Sequence, residues 1–181
     1  MDFTEKQKHT MMSIAEWSIQ DYLTTGKRDK LPDKFEIDPA LKSLCGVFVS
    51  VYVKSDLRGC IGTFSEKEPL YKNVQQMAVQ AAVEDNRFKP VKARELNQMQ
   101  IEISVLSPRE RIEGPDDIVI GKHGIYMING IRRATLLPQV AVHNNWTPVE
   151  FLEVCAESKL GMSRNSWKES ELFVYKATII R

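Results

Sequence analysis

The chain has 181 residues, with 25 basic against 24 acidic side chains, a net charge of +1, 43% hydrophobic and 27% charged residues. This is the composition of one globular domain or two small lobes sharing a core, and a charge so near zero supplies no field that would recruit nucleic acid or an anionic membrane. No apolar run approaches the roughly 20 residues of a membrane span, and MDFTEKQKHT is too polar for a secretory signal.

Thr4-Glu5-Lys6-Gln7 has the form of a capping box. Met11, Ile14, Ala15, Ser18, Ile19, Tyr22 and Leu23 follow at helical spacing, with Gly26 as the stop. Residues 27–39 are charged and proline-bearing and read as a surface connection. Val47, Val49, Val51 and Val53 alternate with Phe48, Ser50 and Tyr52, the pattern of an interior strand. Lys54-Ser55-Asp56 turns the chain into a return strand through Leu57-Arg58-Gly59-Cys60-Ile61-Gly62. A helix starting at Pro69 buries Leu70, Val74, Met77, Ala78, Ala81 and Ala82 and gives way at residues 84–90. The pattern there favours a turn anchored by a buried Phe88.

Ile101, Ile103 and Val105 alternate with Glu102 and Ser104 as a half-buried strand ended by Ser107-Pro108, and Ile118–Ile120 reads as a short strand. Residues 124–128 and 131–137 form a hairpin around Asn129-Gly130, predicted as a type I′ turn. Arg132 and Arg133 alternate sides there; one is a candidate to face a site, and edge protection explains the other. Thr147-Pro148-Val149-Glu150 caps a helix running to Gly161 with Cys155 in its core stripe, and Phe173, Tyr175, Ala177 and Ile179 mark one face of a last strand. Hairpins predominate and no repeat or long linker interrupts them. The expected class is therefore α+β: antiparallel sheets flanked by helices, in two lobes of a single compact chain over residues 1–181.

Chemistry concentrates on the return strand. By alternation Arg58, Cys60 and Gly62 share a face, and a guanidinium beside a thiol favours the thiolate. Gly59 and Gly62 flank Cys60, and glycine inside a strand marks a bulge or a close approach by ligand or backbone. Two readings of Cys60 stand side by side: a functional thiol, or a small buried hydrophobe with glycines that serve only the twist. The three cysteines (Cys45, Cys60, Cys155) lack C-x-x-C spacing, which argues against a disulfide framework or zinc site and fits a reducing cytoplasm. No metal or cofactor site is expected, His9, His123 and His143 being too scattered.

Leu57–Gly62 resembles the signature of the AMME chromosomal-region protein family, system protein A of the AMME–Memo–radical SAM set. The likeness extends over nearly the whole chain. Asp85–Phe88 is similar to the family's Asp-Pro-Arg-Phe segment, Glu102–Pro108 to its Ser-Val-Leu-Ser-Pro strand, and Arg132–Ala141 to its Arg-Arg…Leu-Leu-Pro-Gln-Val-Ala stretch. Asn86 replaces the usual proline, Ala134 stands where glycine is common, and His143 lies near a position often acidic. The resemblance implies a two-lobed α+β fold with the Arg-Gly-Cys segment near a cleft, and partnership with a radical SAM enzyme or a Memo-like protein.

Three functions follow as expectations. The first is a cytoplasmic pocket protein, an enzyme using Cys60 as nucleophile or redox thiol, with Arg58, Gly59, Gly62, Asp85, Arg87 and Arg132 lining a site for a small anionic ligand. It lacks an assigned general base. The second is a non-catalytic adaptor for a radical SAM or Memo-like protein. The third, RNA modification or binding, runs against the net charge and the absence of a basic stripe around Phe88, Trp146 and Trp167.

Overall fold

The computed structural model describes residues 2–65 and 67–181, and the chain divides into two compact units. In the first, helix α1 (Glu5–Thr25) begins as its capping box requires: the Thr4 side chain accepts from the Gln7 amide and the Gln7 side chain accepts from the Thr4 amide. It buries Met11, Ile14, Ala15, Ser18 and Ile19 and ends at Gly26, whose φ of 70° suits a residue without Cβ. Strand β1 (Val47–Val53) pairs antiparallel with β2 (Asp56–Thr63). Their turn places Lys54 and Ser55 at φ of 51° and 72°, the left-handed pair that Asn-Gly usually supplies. Helix α2 (Leu70–Val83) buries Leu70, Val74, Met77, Ala78, Ala81 and Ala82 as its stripe predicts. Strand β3 (Met99–Leu106) flanks β1 on the other side, again antiparallel. The inward valines of β1 pack with these helix residues and with Ile101, Ile103 and Val105 in one core. Each valine, leucine, isoleucine or methionine among them contributes about 1.5–3 kcal/mol by leaving water.

The second unit holds β4 (Glu110–Ile112), β5 (Gly124–Asn129), β6 (Arg132–Leu136), α3 (Pro138–His143), α4 (Pro148–Val154) and β7 (Glu171–Tyr175). Its antiparallel sheet runs β4-β7-β5-β6. The β5–β6 turn differs from the type expected. Asn129 pairs with Arg132, which makes Gly130 and Ile131 the central residues, and only Gly130 has positive φ (57°). That is type II′, with glycine at its first central position. No strand forms over residues 118–120, because the Ile118 amide closes a turn onto the Pro115 carbonyl and the Val119 amide donates to His123 Nδ1. The capping box at Thr147 forms, but α4 does not continue regularly: residues Cys155–Lys159 widen into a π turn before Gly161 stops the segment at φ 66°. Cys155 lies in the core with Phe151, Leu152 and Met127.

The last expected strand is two. β7 ends at Tyr175 and β8 (Ala177–Ile180) joins the first sheet, whose order becomes β2-β1-β3-β8. At the crossing the Lys176 amide donates to Ser107 Oγ and its carbonyl accepts from the Ser107 amide, both at 2.9 Å. The pleat restarts there, so Phe173 and Tyr175 on β7 and Ala177 and Ile179 on β8 do not form one continuous face; on β7 Leu172, Val174 and Tyr175 are buried.

Candidate functional site

β2 is an edge strand, and its regularity breaks beside the cysteine. Gly59 pairs with Val51 but Leu57 pairs with Tyr52, leaving Arg58 as a bulged residue. The alternation that would set Arg58 beside Cys60 is thereby interrupted. Arg58 Nη1 donates to Glu95 Oε1 at 2.7 Å, and the same guanidinium donates to the Lys89 and Pro90 carbonyls. The Arg58 guanidinium in turn lowers the Glu95 carboxyl below its usual range.

Cys60 points both backbone groups away from β1, and a loop side chain meets each. Its amide donates to Asp85 Oδ2 at 2.9 Å, and its carbonyl accepts from Arg87 Nη2 at 3.0 Å. Asp85 and Arg87 are themselves joined by two parallel bonds, Nε to Oδ1 at 2.8 Å and Nη2 to Oδ2 at 2.7 Å. This pair closes the open sheet edge as a neighbouring strand would. Asp85 is the buried anchor of the loop, its side chain 4% exposed, whereas Phe88 is only half-buried. Bonding to Arg87 holds the Asp85 carboxyl down at about 2.

The glycines answer to packing. A Cβ on Gly59 would lie 1.8 Å from the Ala81 carbonyl oxygen of α2, and one on Gly62 would lie 2.2 Å from the Phe48 ring. What comes near Cys60 on these two sides is the protein itself.

The cysteine side chain belongs to a different set. Across the sheet, Cys60 is in register with Ser50 and Ser50 with Glu102, so three adjacent strands present one polar row. It lies on the face opposite the valines that pack under α2. Ser50 Oγ donates to Cys60 Sγ at 3.3 Å. Arg181 completes the row, its Nε donating to Glu102 Oε2 at 2.7 Å. Tyr52 stands one pleat away; burial and the Glu102 and Cys60 charges push its phenol up, keeping it a neutral donor. Cys60 is partly exposed, yet burial also pushes its thiol up, over the opposing effects of Ser50 and Arg87. At rest the sulfur carries its proton. Beside the row a cavity of about 640 Å³ opens between α1 and the β1–β3 strands, bordered by Tyr52, Gln100, Glu102 and Arg181.

The sequence model of the AMMECR1 family matches residues 12–180. The chain belongs to the AMMECR1 family. Protein PF1979 of Pyrococcus furiosus is 40% identical over 179 residues, covering 93% of this chain and 83% of that protein. A protein of Aquifex aeolicus is 38% identical over 157 residues, covering 83% and 79%. The crystal structure of uncharacterized protein PH0010 from Pyrococcus horikoshii superposes with a TM-score of 0.89 at 33% identity, covering 98% of this chain and 92% of that one.

Within this AMMECR1 chain the predicted site residues sort into two groups. Cys60 opens toward the polar row, while Arg58, Gly59, Asp85 and Arg87 fix the edge on which it sits. Arg132 lies in the second unit, where Nη1 donates to the Leu160 and Gly161 carbonyls and closes the end of the π turn. Sequence reasoning passed over Ser50, Tyr52, Glu102 and Arg181. A signal existed: Glu102 and Ser104, read as the solvated side of a strand, are 8% and 3% exposed. Polar side chains buried at alternate positions of one strand need partners, and Glu102 finds its partner in Arg181, far along the chain. Among the described residues, no helix is long and apolar enough to cross a membrane.

Proposed function

We propose that this AMMECR1 protein is a thiol-dependent pocket protein, with Cys60 as nucleophile and Glu102 as its proton acceptor. The observation that supports this is the row Cys60–Ser50–Glu102, in register across three strands, with Ser50 donating to the sulfur at 3.3 Å. A protonated, partly buried thiol reacts only when a base removes its proton. Asp85 also acts on the sulfur electrostatically, but bound to Arg87 and titrating at about 2 it takes no proton near neutrality. Glu102 is the other carboxylate whose charge acts on Cys60. Whereas Arg87 holds both oxygens of Asp85, Arg181 holds Glu102 through Oε2, leaving Oε1 to take a proton. In the proposed step Ser50, which lies between them, turns its hydroxyl to take the Sγ proton and hands its own proton on to Glu102. A sulfur electron pair forms the bond to an electrophilic carbon of the ligand. The electron pair displaced onto the ligand's heteroatom then takes that proton back. Ser50 stabilises the thiolate in passing, and Tyr52 donates to the developing negative charge.

The test is the rate of Cys60 carboxamidomethylation by iodoacetamide, followed by mass spectrometry from pH 6 to 10. Wild type is expected to react well before the buried Cys155. The Glu102 charge by itself pushes the thiol up, so Glu102→Gln would speed Cys60 if that charge were its whole effect. Because Glu102 is the proton acceptor, its loss is expected to slow Cys60 about tenfold near neutrality. Reaction of Cys60 as slow as that of Cys155, or equal rates in wild type and Glu102→Gln, overturns the proposal.

A second reading draws on a different observation: Arg58, Gly59, Asp85 and Arg87 all act on the fold of the edge. A signature that shapes a surface rather than a reaction supports an adaptor for a radical SAM or Memo-like protein. Pull-down with those candidates undiminished in Cys60→Ala, together with an inert thiol, would favour it.

A further inference from the structure

The cavity next to the polar row has a lining that selects a ligand by charge and shape. Met12, Met99 and the Tyr52 ring supply apolar and aromatic surface, while Glu16, Glu102 and Arg181 supply charge. Its volume of about 640 Å³ is within the range of small-molecule sites. The ion pair at its edge is lopsided. The Glu102 side chain is 11% exposed, and Oε2 takes both Nε and Nη2 of Arg181, whose own side chain is 76% exposed.

That asymmetry decides which charged ligand the pocket accepts. An anion that drew Arg181 away would strand a buried carboxylate without a cation, which is strongly unfavourable. A cation that took the place of Arg181 at Glu102 would release a guanidinium already mostly in water, at little loss. Glu16, exposed on α1, adds a second negative charge at the mouth. The Tyr52 ring offers a π face to a cation or stacking area to an aromatic body.

We infer that this cavity is a binding site for an organic amine with an apolar or aromatic body, whose ammonium displaces Arg181 from Glu102. The inference deepens the thiol reading and rests on it for the role of Glu102, the carboxylate that the cavity and the polar row share. One cation replaces another at Oε2, so the charge that Glu102 presents to Cys60 is unchanged by binding. Arg181 acts as a resident competitor that keeps the carboxylate paired while the pocket is empty.

Isothermal titration calorimetry of the full chain tests this with 2-phenylethylamine and hexylamine, against 2-phenylethanol and 3-phenylpropanoate as neutral and anionic counterparts. Both amines are expected to bind and both counterparts to bind at least tenfold more weakly. Arg181→Ala is expected to tighten amine binding several-fold by removing the competitor, and Glu102→Gln to weaken it at least tenfold. A gain of affinity in Arg181→Ala cannot come from misfolding, so the inference stays testable if Glu102→Gln is unstable. Preferential binding of 3-phenylpropanoate that is lost in Arg181→Ala overturns it, as does silence of both amines in wild type and Arg181→Ala alike. Amine silence alongside Glu102-dependent alkylation of Cys60 removes only the ligand class. Alkylation indifferent to Glu102, with amines bound as expected, removes the thiol chemistry and leaves the site.

Discussion

The two hairpins of this chain solve the same problem in opposite ways. The β5–β6 hairpin turns on Gly130, where positive φ is free and a Cβ would meet nothing within 4 Å, and its pairing from Ile125 to Arg132 is unbroken. The β1–β2 hairpin turns on Lys54 and Ser55, two non-glycine residues at positive φ, bulges at Arg58 and needs Asp85 and Arg87 to close its edge. Left-handed backbone costs about 1–2 kcal/mol for an ordinary residue, so this irregularity has to be offset elsewhere. The hairpin that carries the thiol and the polar row is also the one held together by tertiary contacts. The regular one is also flanked, β5 pairing with β7 and Arg132 reaching the Leu160 and Gly161 carbonyls, but it keeps its register without a bulge. In the β1–β2 hairpin the departures from ideal geometry coincide with the strand on which the proposed site lies.

The contrast is most sharply broken at its glycines. Gly59→Ala drives a methyl group into the Ala81 carbonyl, a backbone atom that cannot swing aside, and is expected to destabilise by about 3 kcal/mol in urea unfolding. Gly130→Ala, strained only by its φ of 57°, is expected to lose about 1 kcal/mol. Equal losses at the two positions would refute the distinction.

Next in size is the edge closure. The Asp85 carboxyl falls from an ordinary 3.8 to about 2 in the folded chain, so its stabilisation is fully present above pH 4 and is lost as pH falls toward 2. The difference amounts to about 2 kcal/mol. Asp85→Asn is expected to lose about that much at pH 7 and to flatten the dependence of stability on pH between 4 and 2. Wild-type and variant curves that stay parallel through that range would show that the carboxylate does not close the edge.

The smallest expected effect has the opposite sign. Replacing Lys54-Ser55 by Asn-Gly gives the first turn residues that tolerate its left-handed backbone, and should stabilise by about 1 kcal/mol. A melting temperature unchanged or lowered would mean that Lys54 and Ser55 supply contacts that outweigh their strain.

Much of the frame could be read without coordinates. Both capping boxes, the Gly26 stop, the valine strand, the α2 stripe and the core place of Cys155 are local matters, set by backbone donors needing caps and by apolar side chains repeating at 3.6 or 2 residues. Three things could not be read that way. The turn at Asn129-Gly130 shifted type because the register of β5 on β6 selects which two residues are central. Arg58 left the side of Cys60 because a bulge adds a residue that periodicity does not count. The last strand split because Lys176 hands the chain from one sheet to the other.

The sequence by itself determined α1, α2, the capped start of α4, the strands of the two hairpins and the family, since each of these follows from neighbours along the chain, and it left Cys60 with two readings. Only the tertiary structure decided what surrounds that cysteine. Its arginines and aspartate bind the edge, while Ser50 meets it across the sheet and Glu102 and Arg181, distant in sequence, continue the row. Strand register, set by long-range packing, brings together side chains that no local period connects.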